Sequence, residues 1–168
     1  MPSRRIAILD AVVAALNGIT VAAGYATDLG VTGGAHKVDA FRNLRAETPC
    51  AVVSCGGEDK DDGAVHSSMQ CRMRVEIWAA PDMPVIDEEQ NWVEDLCDDL
   101  ISDVEKALLA ARELDPPLGV AGVQQVILRG HEKLPPVQED ALLIGALISL
   151  EVEYRHDLDD PSTYGGQP

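Results

Sequence analysis

Polar and apolar positions alternate most cleanly in SMQCRMRVEIWA. Met69, Cys71, Met73, Val75 and Ile77 fall on one side, with Gln70, Arg72, Arg74, Glu76 and Trp78 on the other. A period of two predicts a half-buried strand over 67–80. A second long strand is predicted over Leu142–Arg155. Its first half, LLIGALI, has no polar face and calls for burial on both sides. Its second half alternates Leu150, Val152 and Tyr154 against Glu151, Glu153 and Arg155. CAVVSC (Cys50–Cys55), closed by Gly56-Gly57, reads as a short strand. Gly122–Leu134, centred on Val126–Arg129, reads as another, and Tyr25–Val31 as a weak one. His36–Glu47, Glu58–Gly63 and the stretch from Pro135-Pro136 to Asp140 read as loops.

Two stretches instead repeat at helical spacing. In Arg4–Leu16 the recurring positions are Ile6, Leu9, Val13 and Leu16, with Ser3 as N-cap and Asn17-Gly18 as the stop. From Asp87 to Glu113, the residues Val93, Leu96, Cys97, Leu100, Ile101, Val104, Ala107, Leu108 and Ala111 form a continuous apolar stripe. The acids Asp87, Glu88, Glu89, Glu94, Asp95, Asp98, Asp99 and Asp103 crowd its first part and suit the helix dipole. They read as a solvated face. The order helix, strands, helix, strands predicts an α+β fold: a mostly antiparallel sheet of about four to five strands, packed on one face by two helices. Residues 1–156 are expected to form one domain, and 157–168 a polar flexible tail.

Composition narrows the functional classes. Only 4% of the 168 residues are aromatic, so few rings exist to stack on bases, and the core must be aliphatic. The net charge of −16 opposes binding to free DNA or to an anionic membrane surface, since phosphate affinity comes from Lys and Arg. No run approaches the ~20 apolar residues of a membrane span. The opening segment lacks the shape of a secretory signal, so Cys50, Cys55, Cys71 and Cys97 are expected as reduced thiols in a cytoplasmic setting.

Candidate chemistry is thin. His156, Asp157, Asp159 and Asp160 have the hard oxygen donors that magnesium or calcium takes, but not the spacing of a calcium loop. A metal-dependent hydrolase built on them, or on the acidic helix, is the enzyme reading. A solvated tail is the plainer one. Cys50-x4-Cys55 lacks the matching second pair of a zinc site. His66 and His131 stand alone, and no nucleophile elbow, phosphate loop or HExxH occurs. No catalytic residue, metal or cofactor is therefore expected, which favours a structural or interaction protein.

Five stretches carry a family resemblance: RIAILDAVVAALNGI, LRAETPCAVVSCGGED, SMQCRMRVEIWA, EEQNWVEDLCDDLISDVEKALL and ISLEVEYRHD with its trailing DDPS. Together, spanning almost the whole chain, they resemble the tail-terminator (tail-completion, or minor tail) proteins of long-tailed bacteriophages. The resemblance implies a non-catalytic virion protein, assembled in the host cytoplasm and located at the head-proximal end of the tail. It implies a homohexameric ring that caps the tail tube, ends polymerisation of the tube protein and meets the head connector, with genomic DNA passing through the lumen without specific binding. A head-completion or neck adaptor subunit is the nearest alternative. A ring needs heterologous contacts. The outward residues Arg72, Arg74, Trp78, Glu151, Glu153 and Arg155 are the candidates, and the competing reading of them is a solvated sheet face with ordinary cross-strand pairs.

Overall fold

The computed structural model describes residues 3–37, 48–61, 68–82, 91–138 and 142–157. Two helices, α1 (Arg4–Asn17) and α2 (Asn91–Arg112), accompany five strands: β1 (Gly34–Lys37), β2 (Cys50–Asp61), β3 (Ser68–Ala80), β4 (Val123–Gln138) and β5 (Leu142–Asp157). The sheet order is β1-β2-β3-β5-β4. Only β1 and β2 run parallel, and every other pairing is antiparallel. This is the α+β fold that the periodicity predicts, a mostly antiparallel sheet with two helices.

Both helices and one face of the sheet share a single core. Met73, Val75 and Ile77 of β3, and Ile148, Leu150 and Val152 of β5, are fully buried with Leu100, Val104 and Leu108 of α2. Each such aliphatic side chain withdrawn from water contributes on the order of 1.5–3 kcal/mol. In α1 the buried residues are Ile8, Val12 and Leu16, while Ile6 is 42% exposed. The stripe predicted through Ile6, Leu9 and Val13 is thus rotated by about a quarter of a turn. AILDAVVAAL is apolar around most of its circumference, so spacing alone does not choose a face. Ser3 caps α1 as predicted, its side chain accepting from Ile6 N.

Four boundaries differ from the sequence reading. Tyr25–Val31 is not a strand: a 3-10 turn at Val21–Ala23 and further turns occupy the region, and the short strand falls at Gly34–Lys37. The strand pins to α1 through Asn17, whose amide donates to Ala35 O (3.2 Å) and accepts from Ala35 N (2.7 Å). β2 does not end at Gly56-Gly57 but continues to Asp61 through a bulge between Cys55 and Gly57. Gly57 has φ +149°, a conformation that suits glycine and lets the ladder resume after the extra residue. β4 runs on through Pro135-Pro136, which an outermost strand tolerates because one of its edges needs no donors, and its register shifts there. β5 continues through His156 and Asp157. Predicted features at 38–47, 62–67 (His66 included), 87–90 and 158–168 lie outside the described residues. No described helix is long and apolar enough to cross a membrane.

Candidate interaction surface

The strand pleat sends alternate residues of β3 and β5 away from the helices. The register sets Arg72 opposite Glu153, Arg74 opposite Glu151, Gln70 opposite Arg155, and Trp78 opposite Leu147. All six candidate residues therefore share the face that the helices leave open. They form two zones along the strands.

The first zone is charged. Arg72 donates to Glu153 Oε1 from Nη2 (2.9 Å) and Nε (3.2 Å), and its Nε lies 3.1 Å from Glu151. Arg129 of β4 also reaches Glu151, at 2.7 Å. The paired acids raise the Arg72 pKa, its hydrogen bond to Glu153 first and the Glu151 charge next. Glu151 and Glu153 are under one-fifth exposed, whereas Arg72 is 55% exposed. These are the ordinary cross-strand pairs of the competing reading, and exposed pairs of this kind add little to monomer stability. Arg74 and Arg155 project from the same face and are also exposed.

The second zone is a row that crosses the whole sheet: His36, Val52, Trp78, Leu147 and Glu132 are successive cross-strand neighbours. Val52 is buried and Leu147 half-buried, yet Trp78 between them is 41% exposed. Trp78 is thus a large ring partly open to water beside a lattice of charge.

The other face of the sheet contains a polar cluster that the sequence reading missed. The β2 bulge reverses the strand's alternation, so Glu58 stands opposite Met73 on the helix side. Its side chain is 8% exposed and lies 2.9 Å from Arg5 Nε and 3.5 Å from Lys60 Nζ. Neither carboxylate oxygen accepts a well-directed hydrogen bond from the described residues, so charge pairing carries the contact. Burial foremost, then the Glu58 charge, drives the Tyr154 phenol far above its usual pKa. The same two causes, in the same order, raise the Cys71 thiol. Burial alone raises Cys50. The signal was Gly56-Gly57, a bulge mark inside a strand.

Asp103 corrects the reading of the acidic helix as uniformly solvated. Asp95, Asp98 and Asp99 are not buried, but Asp103 is only 5% exposed. Its carboxylate accepts from Ala26 N (3.1 Å), Thr27 N (2.7 Å) and Thr27 Oγ1 (2.8 Å). Lys106, one turn on, donates to Gly24 O at 2.7 Å and sits over the Tyr25 ring. The pair tethers the 20–33 loop to α2.

Asp159 and Asp160, considered for metal chemistry, lie outside the described residues, and the described cysteines and histidines stay apart. Cys50, Cys55 and Cys71 face Ala80, Val75 and Lys60 at separate points along the ladders, and all four thiols are free. His156 is buried in β5 beside Tyr154 rather than in a solvated tail. His131 pairs with Glu105 at 2.8 Å. Among the described residues no group of three or more His, Cys, Asp or Glu converges as a metal site would require. In comparison with known proteins, no family model and no curated protein matches the chain.

Proposed function

We propose that the chain is a structural subunit, working through its surfaces rather than through catalysis. The observation that carries this is the open sheet face. Five strands display an ion-pair lattice, Arg72 with Glu151 and Glu153, beside a row with the exposed Trp78 at its centre. Strands of 13 and 16 residues hold that lattice on a rigid plane, which suits docking against a neighbour. The particular protein we propose is the tail terminator of a long-tailed bacteriophage. It forms a ring on the finished tail tube, stops the tube protein from adding further, and offers the joining surface to the head.

The charge fits the same reading. Six copies would bring on the order of a hundred net negative charges to a ring, so DNA in the lumen would be repelled and would slide.

The test is reconstitution. Purified protein added to polymerising tail-tube protein should arrest tube growth and form end-caps visible by electron microscopy. Arg72→Ala, Arg74→Ala and Glu153→Ala should leave the circular dichroism spectrum unchanged and reduce capping. Undiminished tube growth with the wild-type protein contradicts the function. Full capping by all three variants contradicts the choice of face.

A further inference from the structure

Positive charge is concentrated on the open side of the sheet. Four of the chain's 13 basic residues, Arg72, Arg74, Arg129 and Arg155, belong to that face. Arg72 and Arg129 are occupied by Glu151 and Glu153. Asp59 of β2 also stands opposite Arg72. Arg74 and Arg155 are exposed and have no carboxylate partner among the described residues.

The opposite side of the subunit carries the complement. On α2, Asp95, Asp99, Ser102 and Leu109 follow one another by four, three and seven residues, and so fall on one line of the helix. All four are exposed, on the side turned away from the buried Leu100, Val104 and Leu108. Asp98 pairs with Lys133 at 2.8 Å, but Asp95 and Asp99 have no cation partner among the described residues. Lys106 lies on this side too, its ammonium held by Gly24 O and the Tyr25 ring. Leu109 is 39% exposed.

The spacings of the two surfaces agree. Trp78 stands four residues beyond Arg74 along β3, about 13 Å at the strand rise. Leu109 stands ten residues beyond Asp99 along α2, about 15 Å at the helical rise. A helix laid along β3 can therefore set its acids on the unpaired arginines and its leucine on the Trp78 ring at the same time.

We infer that the open sheet face of one copy receives the outer side of α2 from the next copy. Asp95 and Asp99 meet Arg74 and Arg155, and Leu109 meets Trp78. The two surfaces differ and lie on opposite sides of the subunit, so the contact is heterologous and repeats from copy to copy. Pairing these free charges also offsets part of the repulsion between copies that each carry −16. The inference rests on the reading of the open face as a docking surface and adds its partner. It does not depend on the tail role.

The test is charge reversal read by sedimentation at millimolar concentration. The wild-type chain should associate, and raised salt should weaken the association. Two variants of the full chain are compared with it, one carrying Arg74→Glu and Arg155→Glu, the other Asp95→Arg and Asp99→Arg. All four positions are exposed, so both variants should keep the wild-type circular dichroism spectrum. Each alone should associate at least tenfold more weakly, because like charges then face each other. Mixed in equal amounts they should recover association, since every contact in an alternating series is again between opposite charges. Trp78→Ala and Leu109→Ser should each weaken the wild-type association as well. A wild-type chain that stays monomeric, loss in the sheet variant alone, or a mixture no better than its components each overturns the inference. Arrest of tube growth is a separate readout. Capping without recovery in the mixture removes this contact and leaves the tail reading, and recovery without capping does the reverse.

Discussion

Asp103 sits at a position where the helix spacing asks for a leucine. Leu96, Leu100, Asp103, Ala107 and Ala111 succeed one another by four, three, four and four residues along one line of α2. An acid on an apolar line was therefore visible, but its partners were not: Ala26 and Thr27 come from 77 and 76 residues away. Asp103→Ala would leave two backbone donors without their acceptor inside the protein. It should cost about 2–3 kcal/mol in urea unfolding. Asp103→Asn, which keeps one acceptor, should cost less. Tyr154 makes a second prediction at this scale. Its folded pKa lies above the unfolded value of 10.0. The unfolded chain therefore loses its proton first, and stability present below pH 10 falls as the pH rises beyond it. Cys50, Cys71 and Cys97 act in the same direction, from the ordinary thiol value of 9.0 upward. Unfolding free energy measured between pH 8 and 11 should fall with pH, and Tyr154→Phe should flatten the part above 10.

At the scale of elements, period and composition located both helices and the four long strands, through two-sided alternation in β3, the second half of β5 and α2, and through sustained apolar runs bounded by turn residues elsewhere. They failed where local pattern carries no such contrast. The short β1 is fixed by Asn17 and by its parallel neighbour β2 rather than by its own residues. The continuation of β2 through EDKD depends on a bulge, and that of β4 through two prolines depends on being outermost. Of the candidate surface, the sequence showed the membership, since alternation assigns Arg72, Arg74, Trp78, Glu151, Glu153 and Arg155 to the polar side. It did not show the ion pairing, which arises from register between residues 81 apart in the chain. One close approach holds the region between α1 and β1. Gly30 N donates to Ile19 O at 2.9 Å, and a Cβ on Gly30 would lie 2.1 Å from Asn17 O. Backbone must move to admit it, so Gly30→Ala should lower stability by about 2–4 kcal/mol. A denaturant midpoint equal to that of the wild type would show the packing there to be looser than described.

At the scale of the whole molecule, α1 and α2 pack on one face of the sheet, and the other is the face proposed to meet a neighbour. The open side combines fixed charge with an exposed tryptophan, while the outer side of α2 adds Asp95, Asp98 and Asp99 to a chain already at −16. A ring of such subunits needs contacts strong enough to close despite mutual repulsion. In the proposed ring, the Trp78 row and the Arg–Glu lattice are the surfaces offered for that driving force. If the proposal holds, the gene belongs to a phage, and deleting it there and viewing the lysate by electron microscopy tests the proposed tail-terminator role itself. Tails of uncontrolled length, unattached to filled heads, are the predicted result. Tails of normal length that fail to join heads would assign the chain to the neck instead, and intact virions would contradict a role in tail completion altogether.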